Sequence, residues 1–398
     1  LGLKTCHNIY IDENGIAALF GCNVASGGAL LLDLNPDPRN PRIIGFYEDA
    51  YCHDGFIRGD TLWIAELYKG EFGVIDIGDP ANPKILTKNR TPRLFAHNVW
   101  LSDDGNTLFT TDEKPGAVVA SFDVEDLSNI SRLDTYKTPR GDSVIPHNVH
   151  VSGDFLVTSY YHDGLTIVDA SRPDNLIETG YYDTSPLPAT EGFGGAWGAF
   201  PYLNSGNILV TDRQEGLFVL TPDYIKGCYL EGRLRNAHDF FPIPNARIEI
   251  IGKNIESRSD ITGEFKTGIG QPGNYDLRIT APGCKTLIVP DVPFGRDSVT
   301  EIKLDVDCNL TDIEEPEEAI QIQIHQGFGK SQIVFQLPEG KRSGRISLLN
   351  LEGRVLVEKP LSSISGQLNL GSELPSGLYF IAIETDHYSA RRSFLHLP

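Results

Sequence analysis

A short histidine phrase returns four times at nearly constant spacing: Cys6-His7-Asn8, Cys52-His53-Asp54, Ala96-His97-Asn98 and Pro146-His147-Asn148. A degenerate fifth copy stands at Gly195-Ala196-Trp197. The intervals between the histidines are 46, 44 and 50 residues. A repeat of that length is a unit that cannot bury its apolar face alone, and it suits a four-stranded propeller blade. GFIRGD, TLWIAEL, FGVIDI and PKILTKN follow His53, and VHVSGD, FLVTSYY, LTIVDA and IETGYY follow the His147 phrase. Gly, Asp, Asn or Pro separates these runs, so each unit reads as a meander of strands A to D. Forty glycines and 25 prolines among short apolar runs agree with an all-β chain. The fold expected is a β-propeller of five visible repeats followed by two small β-sandwiches.

The fifth unit supplies strands A to C (Trp197–Leu220) and leaves at Thr221-Pro222 without a fourth. Propellers commonly close by borrowing that strand from the N-terminal end. Residues 1–5 are too short to donate one. With no methionine and no signal peptide, the chain opens in mid-pattern. The expectation is therefore a processed or shortened chain with further blades upstream; a closed five-blade ring is the alternative.

A net charge of −20 repels phosphate backbones, which excludes nucleic acid as a partner and leaves cations, basic proteins or neutral glycans. No apolar run reaches the 18 residues a membrane-spanning helix needs. The six cysteines fit no zinc spacing. Three (Cys6, Cys22, Cys52) fall in the repeats and three (Cys228, Cys284, Cys308) beyond. These odd counts favour buried free thiols in the repeats, with Cys228 open to pairing with Cys284 or Cys308.

The third run ends in aspartate in four units (Asp33, Asp76, Asp123, Asp169), mostly before a proline-bearing turn. With "LTIVDASRPDN" at 165–175, residues 1–225 resemble the LVIVD-repeat propellers of secreted bacterial proteins, of the choice-of-anchor B type. From Cys228 the pattern alternates apolar and polar residues, with Gly-Glu-Phe at 263–265 and Gly-Asn-Tyr at 273–275. Residues 226–308 resemble a carboxypeptidase regulatory-like β-sandwich, in that family a stabilising or spacing module without catalytic residues. Residues 309–319, with five carboxylates around a proline in TDIEEPEEA, read as an extended acidic linker. Residues 320–398 resemble a type IX secretion C-terminal sorting domain, on the run through Leu374, Pro375, Gly377 and Tyr379. Two departures stand out: Gly327-Phe328-Gly329 replaces the usual Pro-Asn-Pro, and Arg391-Arg392 stands where lysine is common. That resemblance implies a Gram-negative secreted or outer-surface protein, with the type IX machinery as a partner.

The histidine phrase is the best candidate site. Strand A lines a propeller's channel and starts on the face that carries the B–C loops. One rim should gather His7, His53, Asp54, His97, Asn98, Glu113, His147, Asn148, His162, Asp163, Trp197, Asp212 and Arg213, a bed for a sugar or a divalent cation. The competing reading makes each histidine a structural peg. By period two it shares a face with Ile9 and Ile11, or Val149 and Val151, and that face should press on the next blade. Pegs obey repeat symmetry, whereas ligand sites usually break it. The strand-C aspartates favour a local turn bond over metal binding. Trp63 and Trp100 read as packing, while Trp197, in the glycine-rich stretch 192–198, is the exception to watch. No hydrolase, zincin or nucleotide motif is present, and no cofactor is required. The reading is a binding or scaffold protein, not an enzyme; the alternatives are a secreted hydrolase or lyase at the same rim and a structural surface-layer component.

Overall fold

The computed structural model describes residues 2–308 and, beyond them, 320–327, 330–337, 344–350, 354–361, 363–371, 374–375, 377–384 and 389–396. The acidic linker and Phe328-Gly329 lie outside the described residues. Among the described residues the chain is all-β apart from one 3-10 turn, Ala25–Gly27. Among these described residues no helix is long and apolar enough to cross a membrane.

Four antiparallel four-stranded sheets occupy the repeat region, each in the order A-B-C-D. Their A strands are Asn8–Ile11, Asp54–Arg58, Ala96–Leu101 and Val149–Ser152. A fifth sheet holds three strands, Ala196–Phe200, Ile208–Asp212 and Gly216–Leu220. The apolar residues of B and C make the seams between units. Ala18, Phe20 and Leu31 of the first unit pack with Ile57, Leu62, Ile64 and Ile75 of the second. Phe155, Val157 and Ile167 of the fourth pack with Ala199, Ile208 and Val210 of the fifth. Fully burying such a side chain contributes about 1.5–3 kcal/mol, so units that share a seam are held by their neighbours.

Each strand-C aspartate accepts the backbone N–H two residues on: Asp33 from Asn35 (3.0 Å), Asp76 from Gly78 (2.9 Å), Asp123 from Glu125 (3.1 Å) and Asp169 from Ser171 (3.0 Å). The acid that ends strand B also plays a repeated part, clasping the chain that arrives from the preceding unit. Glu66 accepts from Tyr47 Oη (2.6 Å). Asp112 accepts from Thr91 Oγ1 and from the N–H groups of Arg93 and Phe95, and Asp212 from Thr184 Oγ1 (2.8 Å).

Two expectations need correction. Val149 and Val151 are buried, but Ile9 and Ile11 are 55% and 52% exposed, because no sheet covers that face of the first unit. The cysteines also pair differently. Cys6 bonds Cys22 and Cys284 bonds Cys308, while Cys52 and Cys228 are buried free thiols. An odd count in a region is satisfied by one bridge plus one buried thiol.

The next two sheets are Cys228–Asn236 between Glu264–Ile269 and Val299–Val306, and Arg247–Ile250 between Glu256–Arg258 and Gly273–Thr280, with Leu287–Phe294 outermost. They enclose a core of Leu230, Leu234, Ile248, Phe265, Leu277 and Phe294. This sandwich and the repeat sheets form one compact unit, Leu1–Cys308. Their seam on the fourth unit packs Ile177 against Gly227 and Gly268 and adds polar bonds around it. Asp169 Oδ2 accepts the Gly227 N–H (2.7 Å), and Asn175 Nδ2 donates to the Thr267 carbonyl (3.1 Å). Arg172 pairs with Glu231, and Lys266 with Asp174.

The second compact unit, residues 309–398, contains a three-stranded and a four-stranded sheet around Ile333, Leu348, Ile381 and Ile383. Leu374 packs at the edge of that core, and Tyr379 is buried with its hydroxyl donating to the Pro375 carbonyl (2.8 Å). Gly377 lies against the Tyr379 ring.

Candidate functional site

The histidine phrase builds a row of rings at the start of the A strands. Ring centroids run 3.8 Å from His7 to His53, 4.2 Å to His97, 4.4 Å to His147 and 5.0 Å to Trp197. His7 is exposed; His53, His97 and His147 are buried. Burial holds His53 down at about 4 and His147 at about 3, and holds His97 well below the usual imidazole range. All three are therefore neutral near pH 7.

The peg role is visible at His97, whose Nδ1 lies 3.1 Å from the backbone carbonyl of His147. A carbonyl only accepts, so Nδ1 carries the proton and Nε2 keeps its lone pair. Thr111 Oγ1 donates to the same carbonyl (2.5 Å), and Ser159 Oγ donates to the Trp197 carbonyl (3.0 Å) one unit on.

The residue after each histidine makes a second tier. Asn8 Nδ2 donates to Asp54 Oδ1 (2.7 Å) and Asn98 Nδ2 to Asp54 Oδ2 (2.9 Å), while Asn98 Oδ1 accepts the Val149 N–H (2.9 Å). These bonds cross four units. They place Asp54 and Asn98 in the framework, not at a free rim as expected. Asn148 is half-buried, its Oδ1 without a partner.

A third tier lies three residues past each histidine: Tyr10, Phe56, Trp100 and His150, joined by Tyr202. Tyr10 meets Trp100 at 6.0 Å, Phe56 meets Trp100 at 5.3 Å, and Trp100 meets Tyr202 at 5.8 Å. Rings from the first, third and fifth units thus fill the axis with apolar surface. The sequence contained this periodicity, although only Trp100 stood out in it, as packing.

The other expected rim residues divide. Asp163 is bound by Arg140 (2.8 Å), which also reaches Glu178 (2.5 Å). The His162 ring lies under the glycine-rich stretch: a Cβ on Gly192 (φ +144°) would stand 2.6 Å from its Cε1. Those glycines serve close packing. Asp212 is buried in its clasp, and Arg213 Nη1 donates to the Phe193 carbonyl (2.5 Å).

Two features break the repeat. Trp197, 49% exposed, replaces the fifth histidine and, with Thr211, Asp212 and Arg213, lines an open depression. Glu113 follows strand B of the third unit, where strand pairing aligns it with Cys22, Leu67, Tyr161 and Arg213 of the others. Its oxygens lie 3.8 Å from His97 Nε2 and 3.9 Å from His147 Nε2, and Tyr161 Oη donates to it (2.5 Å). Burial raises the Glu113 carboxyl; the Tyr161 bond and the Arg213 charge oppose that.

Residues 146–184 match the LVIVD repeat. Among curated proteins, none matches significantly. Solved structures with some likeness include the Cps50 (Swd1) β-propeller domain of Myceliophteria thermophila (12% identity, TM-score 0.37, 52% of this chain and 67% of that one). A Lactobacillus plantarum protein shares 11% identity at TM-score 0.34 over 93% of this chain and 89% of its own. A Bacteroides uniformis protein provisionally described as carbohydrate-binding shares 10% at TM-score 0.24, over 43% of this chain and 98% of its own. None is similar enough to carry a ligand across. The strand order and the strand-A geometry show a β-propeller followed by further β-sheet modules, and its fourth unit carries the match to the LVIVD repeat.

Proposed function

We propose that this chain is an exported scaffold whose propeller binds a glycan at the rim of its fifth unit. One observation carries the reading: the row of four histidine rings ends in an indole, half exposed, beside a guanidinium in an open depression. An indole face packs on the C–H face of a sugar, while Arg213 and the depression's polar atoms supply hydrogen bonds and select for acidic substituents. Two disulfides support an oxidising compartment. The sandwich would act as a spacer, and residues 320–398 would direct the chain through type IX secretion to the surface or medium.

Titration of the full chain with a panel of neutral and acidic oligosaccharides, followed by tryptophan fluorescence, tests the binding reading. A saturable change that Trp197→Ala abolishes supports it; no change with any member sinks it. Deleting 320–398 in the native host should trap the protein in the periplasm, and continued export overturns the sorting reading.

A second reading, a hydrolase at the same rim, draws on one specific feature: Glu113 packed against two neutral histidines. A turnover lost in Glu113→Gln but kept in Trp197→Ala would favour it.

A further inference from the structure

We infer that His97, Glu113 and His147 form a binding site for one divalent first-row transition ion, held between the third and fourth units beside the glycan surface of the proposed function. The three donor atoms all lie within 4.8 Å of one another. Four-coordinate zinc with bonds of about 2.0–2.1 Å needs donors roughly 3.3 Å apart. His97 Nε2 lies 3.8 Å from Glu113 Oε2 and His147 Nε2 3.9 Å from Oε1, so closing on an ion takes a glutamate side-chain rotation together with a small approach of the two rings.

The surroundings are those of a metal site. Both imidazoles are buried, which shields a bound ion from competing water. His97 donates from Nδ1 to the His147 carbonyl, which fixes the ring and aims the Nε2 lone pair at Glu113. Tyr161 Oη donates to Glu113 Oε1 and orients the carboxylate, leaving Oε2 nearest His97. Two imidazoles and one carboxylate suit zinc and its neighbours better than calcium or magnesium, which take oxygen donors. Three protein donors leave a coordination position for water or a ligand atom.

Repeat symmetry gives an independent reason. The histidines recur in four units, but only in the third does a carboxylate follow strand B beside them; the residues aligned with Glu113 are Cys22, Leu67, Tyr161 and Arg213. A carboxylate set against two imidazoles at one joint of the wheel adds a ligand, not a seam.

The test is calorimetric titration of the chelator-treated full chain with Zn2+, and with Ca2+ as control. Expected are one Zn2+ per chain and weak or no Ca2+ binding. Glu113→Gln should weaken Zn2+ binding about a hundredfold or more, and Tyr161→Phe about tenfold, the usual range for an orienting partner. His238→Ala, which removes the exposed His238–Asp307 pair as a competing donor set, should change nothing. Absent stoichiometric Zn2+ binding, or binding untouched by Glu113→Gln, overturns the inference. Should that variant not fold, the imidazole resonances of the unsubstituted chain decide: Zn2+-induced shifts that spare His97 and His147 refute it. Zn2+ binding is read without sugar and the oligosaccharide panel without Zn2+, so failure of the glycan reading and failure of the metal site appear in different titrations.

Discussion

Replacing Asp54 tests the hydrogen-bonded belt that ties the units together. Its carboxylate is buried and accepts from Asn8 Nδ2, Asn98 Nδ2 and the Gly55 N–H. In Asp54→Ala, the buried Asn98 amide loses its acceptor, at a cost of about 1–3 kcal/mol. The half-buried Asn8 amide loses a bond worth about 1 kcal/mol. A total loss of about 3 kcal/mol is expected. The pH dependence has a definite sign. Burial raises the Asp54 carboxyl to about 6, above its unfolded value of 3.8, so the folded chain holds the proton more tightly. Acidification through pH 6 therefore adds stability from this group, about 1.4 kcal/mol between pH 7.5 and pH 5, and ionisation removes it again as pH rises. Asp54→Asn abolishes that contribution. Urea unfolding followed by tryptophan fluorescence is the assay, since Trp63, Trp100 and Trp197 all lie in the repeat units. The reasoning fails if Asp54→Ala costs less than about 1 kcal/mol, or if the difference between wild type and Asp54→Asn is flat across that pH range.

The buried histidines act in the opposite sense. His53 and His147, held at about 4 and about 3, stay neutral in the fold while the unfolded chain takes up protons below 6.5. Each then lowers stability by about 2 kcal/mol at pH 5, and His53→Gln should flatten the acid limb of the unfolding curve by that amount. Arg140 binds Asp163 and Glu178 and lies 3.8 Å over the Tyr181 ring. Arg140→Met leaves the buried Asp163 unpaired and should cost about 3 kcal/mol or more in urea unfolding, with no rescue by lysine, which lacks the planar fork. Thiol titration should count two free cysteines in denaturant and none reactive in the fold. Replacing Cys284 and Cys308 together by alanine should lower stability by about 3 kcal/mol, given the 24-residue span.

Much of the architecture could be read from the residues because its signals are local. The histidine period and the strand-C aspartates are short-range features, and each aspartate makes its turn bond within its own unit. What escaped was whatever depends on neighbours across units. Asp54 and Asn98 looked like free rim groups because nothing in a linear sequence says that Asn8, 46 residues earlier, points at the same carboxylate. Cys6 and Cys22 looked like separate thiols because a 16-residue interval carries no signature until strand B folds back on strand A. The exposure of Ile9 and Ile11 follows from which unit lacks a covering sheet, a property of the array and not of the strand. Glu113 stood among thirteen candidates, and only strand pairing aligned it with Cys22, Leu67, Tyr161 and Arg213 to show that it is the one carboxylate at that place.

The joint between the fourth unit and the sandwich has a mechanical consequence. Around the Ile177 side chain it is ringed by polar bonds: Asp169 on the Gly227 N–H, Asn175 on the Thr267 carbonyl, and the Arg172–Glu231 and Lys266–Asp174 pairs. Such bonds are short-ranged and directional, so a load applied along the sandwich reaches the wheel as shear at a single spoke. Drag on a molecule held at the rim would travel back through the same rivets, and the joint would give way before the apolar interior of either part.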